Sequence, residues 1–305
     1  MATPWGRLLT AMVTPYDGSG SVDYVAAAAL ARRLVANGSD GVVVAGTTGE
    51  SPVLSFEEKE ALYVAVKEAL GSRGLVIAAT GTNDTRRTVE WTARAARLGV
   101  DGAMLVAPYY NKPSQNGLVL HFRAVAEATD LPLMVYNVPS RTSVRIAPET
   151  MARIAEIGSV AAVKEASGDV LQVSRLRRLL PRHVLIYSGD DPLTLPMLAL
   201  GAHGVVSVAS HVVGRSLRAM IDELAAGNHL QALSLHEELL PLFEAVFWET
   251  NPLPVKVMLE AVGIATGGWR LPLAAPEEGT ITRIRQLLSD MDPELLDARY
   301  AFEGR

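Results

Sequence analysis

Eight short apolar runs, each followed by room for a helix, constrain this chain more than any single residue does. They are Leu8–Thr14, Gly41–Gly46, Leu75–Thr80, Ala103–Pro108, Pro132–Asn137, Ala161–Ala166, Val184–Gly189 and Gly204–Ala209. Their starts lie 33, 34, 28, 29, 29, 23 and 20 residues apart, enough for one helix each. Strands apolar on both faces belong to a parallel sheet covered on both sides. Eight consecutive βα units favour a closed α/β barrel, the (β/α)₈ or TIM barrel, over an open doubly wound sheet. The segments between look amphipathic, as in Asp23–Asn37, Ser55–Leu70 and Thr85–Leu98. Asp23, Ser55 and Asp84 stand where helix N-caps are expected, and Gly38, Gly71 and Gly99 where helices should end.

After Ser210 the strand signal stops. Val212–Ala226, His229–Phe247, Pro254–Val262 and Glu277–Met291 read as helices, broken by Asn251-Pro252 and Gly267-Gly268. The first completes the barrel and the rest form a three-helix appendix. The expected division is therefore a catalytic barrel over 1–226 and a helical appendix over 227–305.

Composition excludes several classes of function. The 305 residues are 49% hydrophobic and 20% charged, with no run near the 18 apolar residues of a transmembrane helix. Met1–Thr10 has no hydrophobic signal core, so a cytoplasmic location is expected. Without cysteine there is neither disulfide nor thiolate chemistry. A net charge of −5 offers no footprint for nucleic acid or an anionic membrane. The six histidines lack His-x-x-x-His or His-Glu-x-x-His spacing, and no Gly-x-Gly-x-x-Gly follows a strand. Neither a metal nor a cofactor is expected.

In such a barrel, chemistry belongs at the C-terminal ends of the strands. Strand two ends in Gly46-Thr47-Thr48-Gly49-Glu50-Ser51, a turn able to hold a carboxylate, or a plain βα turn rich in hydroxyls. Strand four leads to Tyr109-Tyr110 between prolines, which suits a subunit interface as well as a site. Strand five ends in Tyr136, a phenol able to move a proton, with Arg141 five residues on to clamp a carboxylate. Strand six carries Lys164, which alone of the five lysines lies inside a buried-strand pattern. Desolvation favours its neutral amine, a nucleophile that forms Schiff bases with carbonyls. An edge-strand lysine reaching solvent is the plain alternative. Strand alternation turns Glu165 to the opposite face, so it is not the ion partner of Lys164.

Together the motifs Gly46-Thr-Thr-Gly-Glu-Ser51, Pro108-Tyr-Tyr-Asn-Lys-Pro113, Tyr136-Asn-Val-Pro-Ser-Arg-Thr142 and Val163-Lys-Glu-Ala-Ser-Gly-Asp169 resemble, in order, those of the dihydrodipicolinate synthase family. The likeness runs from residue 8 to about 290 and includes Ser188-Gly-Asp-Asp191, Gly204-Val-Val-Ser207 and Asn251-Pro-Leu-Pro-Val-Lys256. The resemblance implies a lyase that joins pyruvate to L-aspartate 4-semialdehyde in lysine and diaminopimelate biosynthesis. It also implies a homotetramer of tight dimers. By it, Lys164 forms the Schiff base, and Tyr136, Thr47 and Tyr110 form a proton relay. Tyr110 then acts across the dimer interface. Thr48 and the backbone of Val206 hold pyruvate, and Arg141 positions the semialdehyde carboxylate. A Schiff-base aldolase acting on a sugar acid and a non-catalytic binding paralogue are the alternatives. The Tyr110 and Ser-Arg-Thr matches favour the synthase. One departure stands out: where lysine-inhibited relatives bind lysine, this chain has Phe56, Lys59 and Arg87, while Ser51, Asn83 and Tyr109 are kept. Added cations repel the ligand's ammonium groups, so insensitivity to lysine is expected.

Overall fold

The computed structural model describes residues 5–297. Its eight strands are β1 Leu8–Ala11, β2 Gly41–Val44, β3 Leu75–Ala79, β4 Gly102–Val106, β5 Leu133–Asn137, β6 Val160–Glu165, β7 Leu185–Ser188 and β8 Gly204–Ser207. The helices are α1 Tyr24–Ala36, α2 Phe56–Leu70, α3 Thr85–Arg97, α4 Gln115–Ala126, α5 Pro139–Thr142 and α6 Pro148–Ala155. They continue as α7 Leu171–Leu179, α8 Thr194–Ala199, α9 Ser210–Ala225, α10 His229–Ala245, α11 Leu253–Ala261 and α12 Glu278–Asp290. All strand pairs are parallel, and β8 closes on β1. The expected (β/α)₈ barrel is present.

The local signals explain the element boundaries. Asp23 accepts from the amide of Ala26, and Asp84 accepts from the amides of Arg86 and Arg87. Ser55 and Glu58 form a reciprocal capping box at the start of α2. Gly38 and Gly99 follow the ends of α1 and α3 with φ of 102° and 73°, the left-handed region where glycine pays no side-chain penalty. Most strands end one or two residues short of the apolar runs, and two boundaries differ more usefully. β1 ends at Ala11, three residues before Thr14, although the Met12 amide still donates to the Val43 carbonyl. α9 begins at Ser210 rather than Val212 and is interrupted at Val213, whose φ of −132° breaks the helical path.

α10 packs on α9, and α11 meets α12 and α9. The tie that matters most for the site is ionic. Lys256, in α11, is fully buried and donates to Glu50 Oε1 at 2.6 Å and to the Gly268 carbonyl at 2.7 Å. Glu50 Oε2 accepts from the Arg270 amide at 3.2 Å, and the Arg270 guanidinium makes two bonds to Glu58. The turn after β2 is thereby fastened to the helical region. It includes Ala45 and Glu50 at φ of 55° and 57°, a backbone region that costs an L-residue about 1–2 kcal/mol and persists where the surroundings fix it.

Breaking this pair strands a charge in the interior. Lys256→Met is expected to lower unfolding free energy by about 3–5 kcal/mol in urea titrations. A loss below about 1 kcal/mol, the range of exposed pairs, would show that Glu50 finds water instead.

Candidate active site

β5 and β6 bring the two principal groups side by side. Tyr136 and Lys164 are register partners across the ladder, and Lys164 Nζ lies 4.3 Å from the Tyr136 ring centroid. Lys164 is 5% exposed, which rules out an edge lysine reaching solvent. Burial is the main influence on its amine and brings the pKa down to about 8. The charges of Asp191 and Asp190 act against that shift, but neither carboxylate hydrogen-bonds to the amine. Asp191 is engaged elsewhere, accepting from Ser207 Oγ and from the amides of Val208 and Ala209. At neutral pH such an amine is about one-tenth neutral, whereas an ordinary lysine is less than a thousandth.

The Tyr136 phenol is buried too, and burial pushes its pKa up to about 12, against the opposing effects of the Arg141 charge and the nearby Thr47 hydroxyl. It is therefore a neutral acid that holds its proton until a base forms beside it. Desolvation and the neighbouring Asp191 charge raise the Asp190 carboxyl to about 6. Glu165 turns away from Lys164, as alternation requires, and accepts from Asn137 Nδ2 and the Ser167 amide.

These groups face a cavity of about 210 Å³ bordered by Thr47, Thr48, Tyr136, Arg141, Lys164 and Asp190. A second cavity of about 360 Å³ shares Thr47, Tyr136 and Arg141 with it and extends to Lys59, Arg87 and Tyr109. Thr48 is buried, and its Oγ1 accepts from Asn251 Nδ2 at 2.9 Å. Val206 is buried in β8 opposite Leu9, with its side chain outside the cavity, whose wall includes Val208. Tyr110 is not brought into its own chain's site. It is 88% exposed at φ 73°, beside an Asn111 side chain that donates to the Asn83 carbonyl.

Asn251 carried no readable role of its own in the sequence, and Gly189 only that of a small residue in the pocket wall. Asn251 arrives from the segment between α10 and α11, remote from every strand tip. Gly189, after β7, leaves the space Lys164 occupies: a Cβ there would lie 2.9 Å from Lys164 Cε and 2.8 Å from the Ala166 Cβ.

The sequence also matches the profile of the Dihydrodipicolinate synthetase family over residues 4–291. The chain belongs to that family. It is 54% identical over 293 residues to the 4-hydroxy-tetrahydrodipicolinate synthase of Synechococcus elongatus, covering 96% of this chain and 97% of the relative. Within the family, a dihydrodipicolinate synthase structure from Bacillus anthracis superposes with a TM-score of 0.93 at 44% identity, covering 95% of this chain and 99% of that one. The Cyanidioschyzon merolae enzyme, whose structure has lysine bound, gives 0.92 at 44% identity over 93% and 97%.

The space at Gly189 gives a test that leaves every polar group in place. Gly189→Ala is expected to displace the Lys164 amine and lower turnover by about 100-fold, with the fold retained by circular dichroism. Wild-type turnover in that variant would mean that Lys164 does not need its observed position.

Proposed function

We propose that this chain condenses pyruvate with L-aspartate 4-semialdehyde to give 4-hydroxy-tetrahydrodipicolinate, in lysine and diaminopimelate biosynthesis. The observation that carries this reading is Lys164, desolvated on β6 with its amine against the Tyr136 ring. The neutral amine adds to the pyruvate carbonyl and, with loss of water, gives a protonated imine. That cation withdraws electrons from the adjacent methyl group, which loses a proton to leave an enamine. The enamine carbon attacks the semialdehyde carbonyl, one C–C bond forms, and the new alkoxide takes a proton. Tyr136, Thr47 and Tyr110 carry these protons, help of a kind worth about 10²–10⁴-fold.

The remaining assignments belong to the same proposal. The Thr48 hydroxyl and the Val206 backbone hold the pyruvate carboxylate, and Arg141 takes the carboxylate of the semialdehyde. The exposure of Tyr110 supports a partner chain completing the relay, hence a tight dimer and a homotetramer built from two of them. No described helix is long and apolar enough to cross a membrane, in keeping with a cytoplasmic enzyme. Residues 1–226 act as the catalytic barrel and 227–305 as the appendix, of which 298–305 lie outside the described residues.

Turnover that depends on the semialdehyde, followed with purified enzyme, tests the reading. Lys164→Ala is expected to form no borohydride-stable pyruvate adduct. Tyr136→Phe should form the adduct yet turn over about 10²–10⁴-fold more slowly. Full activity of Tyr136→Phe would remove it from the relay.

Regulation by lysine is expected to be absent. Lys59 is buried with its ammonium on Ser51 Oγ at 2.8 Å and 4.6 Å from the Trp91 ring, while Phe56 stacks on the same indole at 4.8 Å. Arg87 adds a second cation at the wall of that cavity. Millimolar L-lysine should leave the steady-state rate unchanged, and strong inhibition at micromolar lysine would contradict this.

A further inference from the structure

Three lysines of this chain are buried, and two of them are accounted for. Lys164 is the reactive amine, and Lys256 has the Glu50 carboxylate at 2.6 Å. Lys59, on α2, is 3% exposed and has neither role. Its ammonium donates to Ser51 Oγ at 2.8 Å and lies 4.6 Å from the centre of the Trp91 ring. An ammonium has three protons to donate, so one hydroxyl and one ring face leave it short of acceptors. Among the described residues no carboxylate forms an ion pair with it. Burial, unopposed by a neighbouring acid, brings its pKa down to about 8. Buried charges are ordinarily paired, because an unpaired one is unfavourable.

The surroundings of Lys59 show what could pair it. Ser51, Trp91 and Lys59 all border the cavity of about 360 Å³, so the ammonium sits at its wall. Arg87, on α3, borders it as well, and no aspartate or glutamate among the described residues does. The Arg87 side chain is 68% exposed and has only a loose ion pair, 3.8 Å from Asp84, so its guanidinium is free to turn toward a ligand. Leu54, Trp91 and Met104 add apolar wall, which favours a carbon skeleton over a bare ion. We propose that this lobe binds a small organic dianion, a dicarboxylate, with one carboxylate at the Lys59 ammonium and the other in the Arg87 fork. Arginine suits a carboxylate through two parallel N–H bonds, and lysine acts as a point charge. Neither cation lines the Lys164 cavity, so the dianion and a pyruvate on Lys164 can be held together. Thr47, Tyr136 and Arg141 border both cavities, which places the occupant against groups of the reaction site.

The assignment stands independently of the proposed condensation. Succinate is the probe, titrated calorimetrically into the full-length enzyme before and after borohydride reduction with pyruvate, with inorganic phosphate alongside. Succinate should bind both forms with similar affinity, and phosphate more weakly. Failure of the reduction to modify Lys164 would count against the condensation, while the titration of the untreated enzyme still tests the lobe. Lys59→Met and Arg87→Gln should each weaken succinate about tenfold or more, as expected for a lost bond between charged groups. Without ligand, Lys59→Met should melt no lower than wild type, since it removes an unpaired buried charge and keeps the volume. Succinate should raise the melting temperature of the wild type and not that of Lys59→Met. Binding abolished by the pyruvate adduct would move succinate to the Lys164 cavity and overturn the assignment. Equal succinate affinity in the wild type and both variants, equal affinity for phosphate and succinate, or no binding at millimolar succinate would each overturn it. A Lys59→Met variant that melts well below wild type would show the ammonium to be satisfied within the fold, with the same consequence.

Discussion

An ammonium held in the mouth of an apolar barrel, without a carboxylate in contact, is unfavourable in its charged form, and the site depends on that penalty. Lys164 is enclosed by its neighbours on β5 and β7, by the Ala166 side chain and by the bare backbone at Gly189. Asp191 could have neutralised it, but that carboxylate is committed to Ser207 and two amides at the end of β8. It contributes a field rather than an ion pair, so the amine keeps a depressed pKa without becoming inert. Tyr136 experiences the same burial with the opposite result, since desolvation favours its neutral, protonated form. One dry pocket therefore yields a base-like amine and an acid-like phenol within contact distance. Pairs of groups driven to opposite roles by one environment are a general mark of acid–base sites.

The barrel alone does not finish the pocket. The turn after β2 carries Thr47 and Thr48 in a strained path, and the Glu50–Lys256 pair fastens it to α11. Asn251, a few residues before Lys256, then reaches Thr48 directly. The helices after the barrel thus act on the chemistry through two contacts with a single turn. A stretch that read as a helical appendix is part of the site wall.

The parts legible in the sequence were those set by local rules. Strand runs, the caps at Asp23, Ser55 and Asp84, and the outward turn of Glu165 follow from period, capping and alternation, none of which needs the tertiary fold. The Tyr136–Lys164 juxtaposition needed the barrel to close in one register, including the irregularity between Leu133 and Met134. Lys256 lies in an apolar helix pattern, and a lysine there normally lies at a surface. The distant Glu50 carboxylate, with the Gly268 carbonyl, explains its complete burial. Asn251 was visible within a motif, but its role depends on contacts 203 and 110 residues away in sequence, to Thr48 and Arg141. Tyr110 marks the limit of what a single chain holds, for its phenol projects from the surface rather than toward Lys164.

Burial, rather than a partner base, makes the Lys164 amine reactive. The rate of pyruvate adduct formation on Lys164, trapped by reduction and followed across pH, distinguishes the two. If the folded-state pKa is depressed, the rate climbs about tenfold per pH unit while the ammonium predominates and levels off above the midpoint. Burial sets that midpoint at about 8. A rate still rising in proportion to hydroxide near the ordinary lysine value of about 10.4 would contradict it.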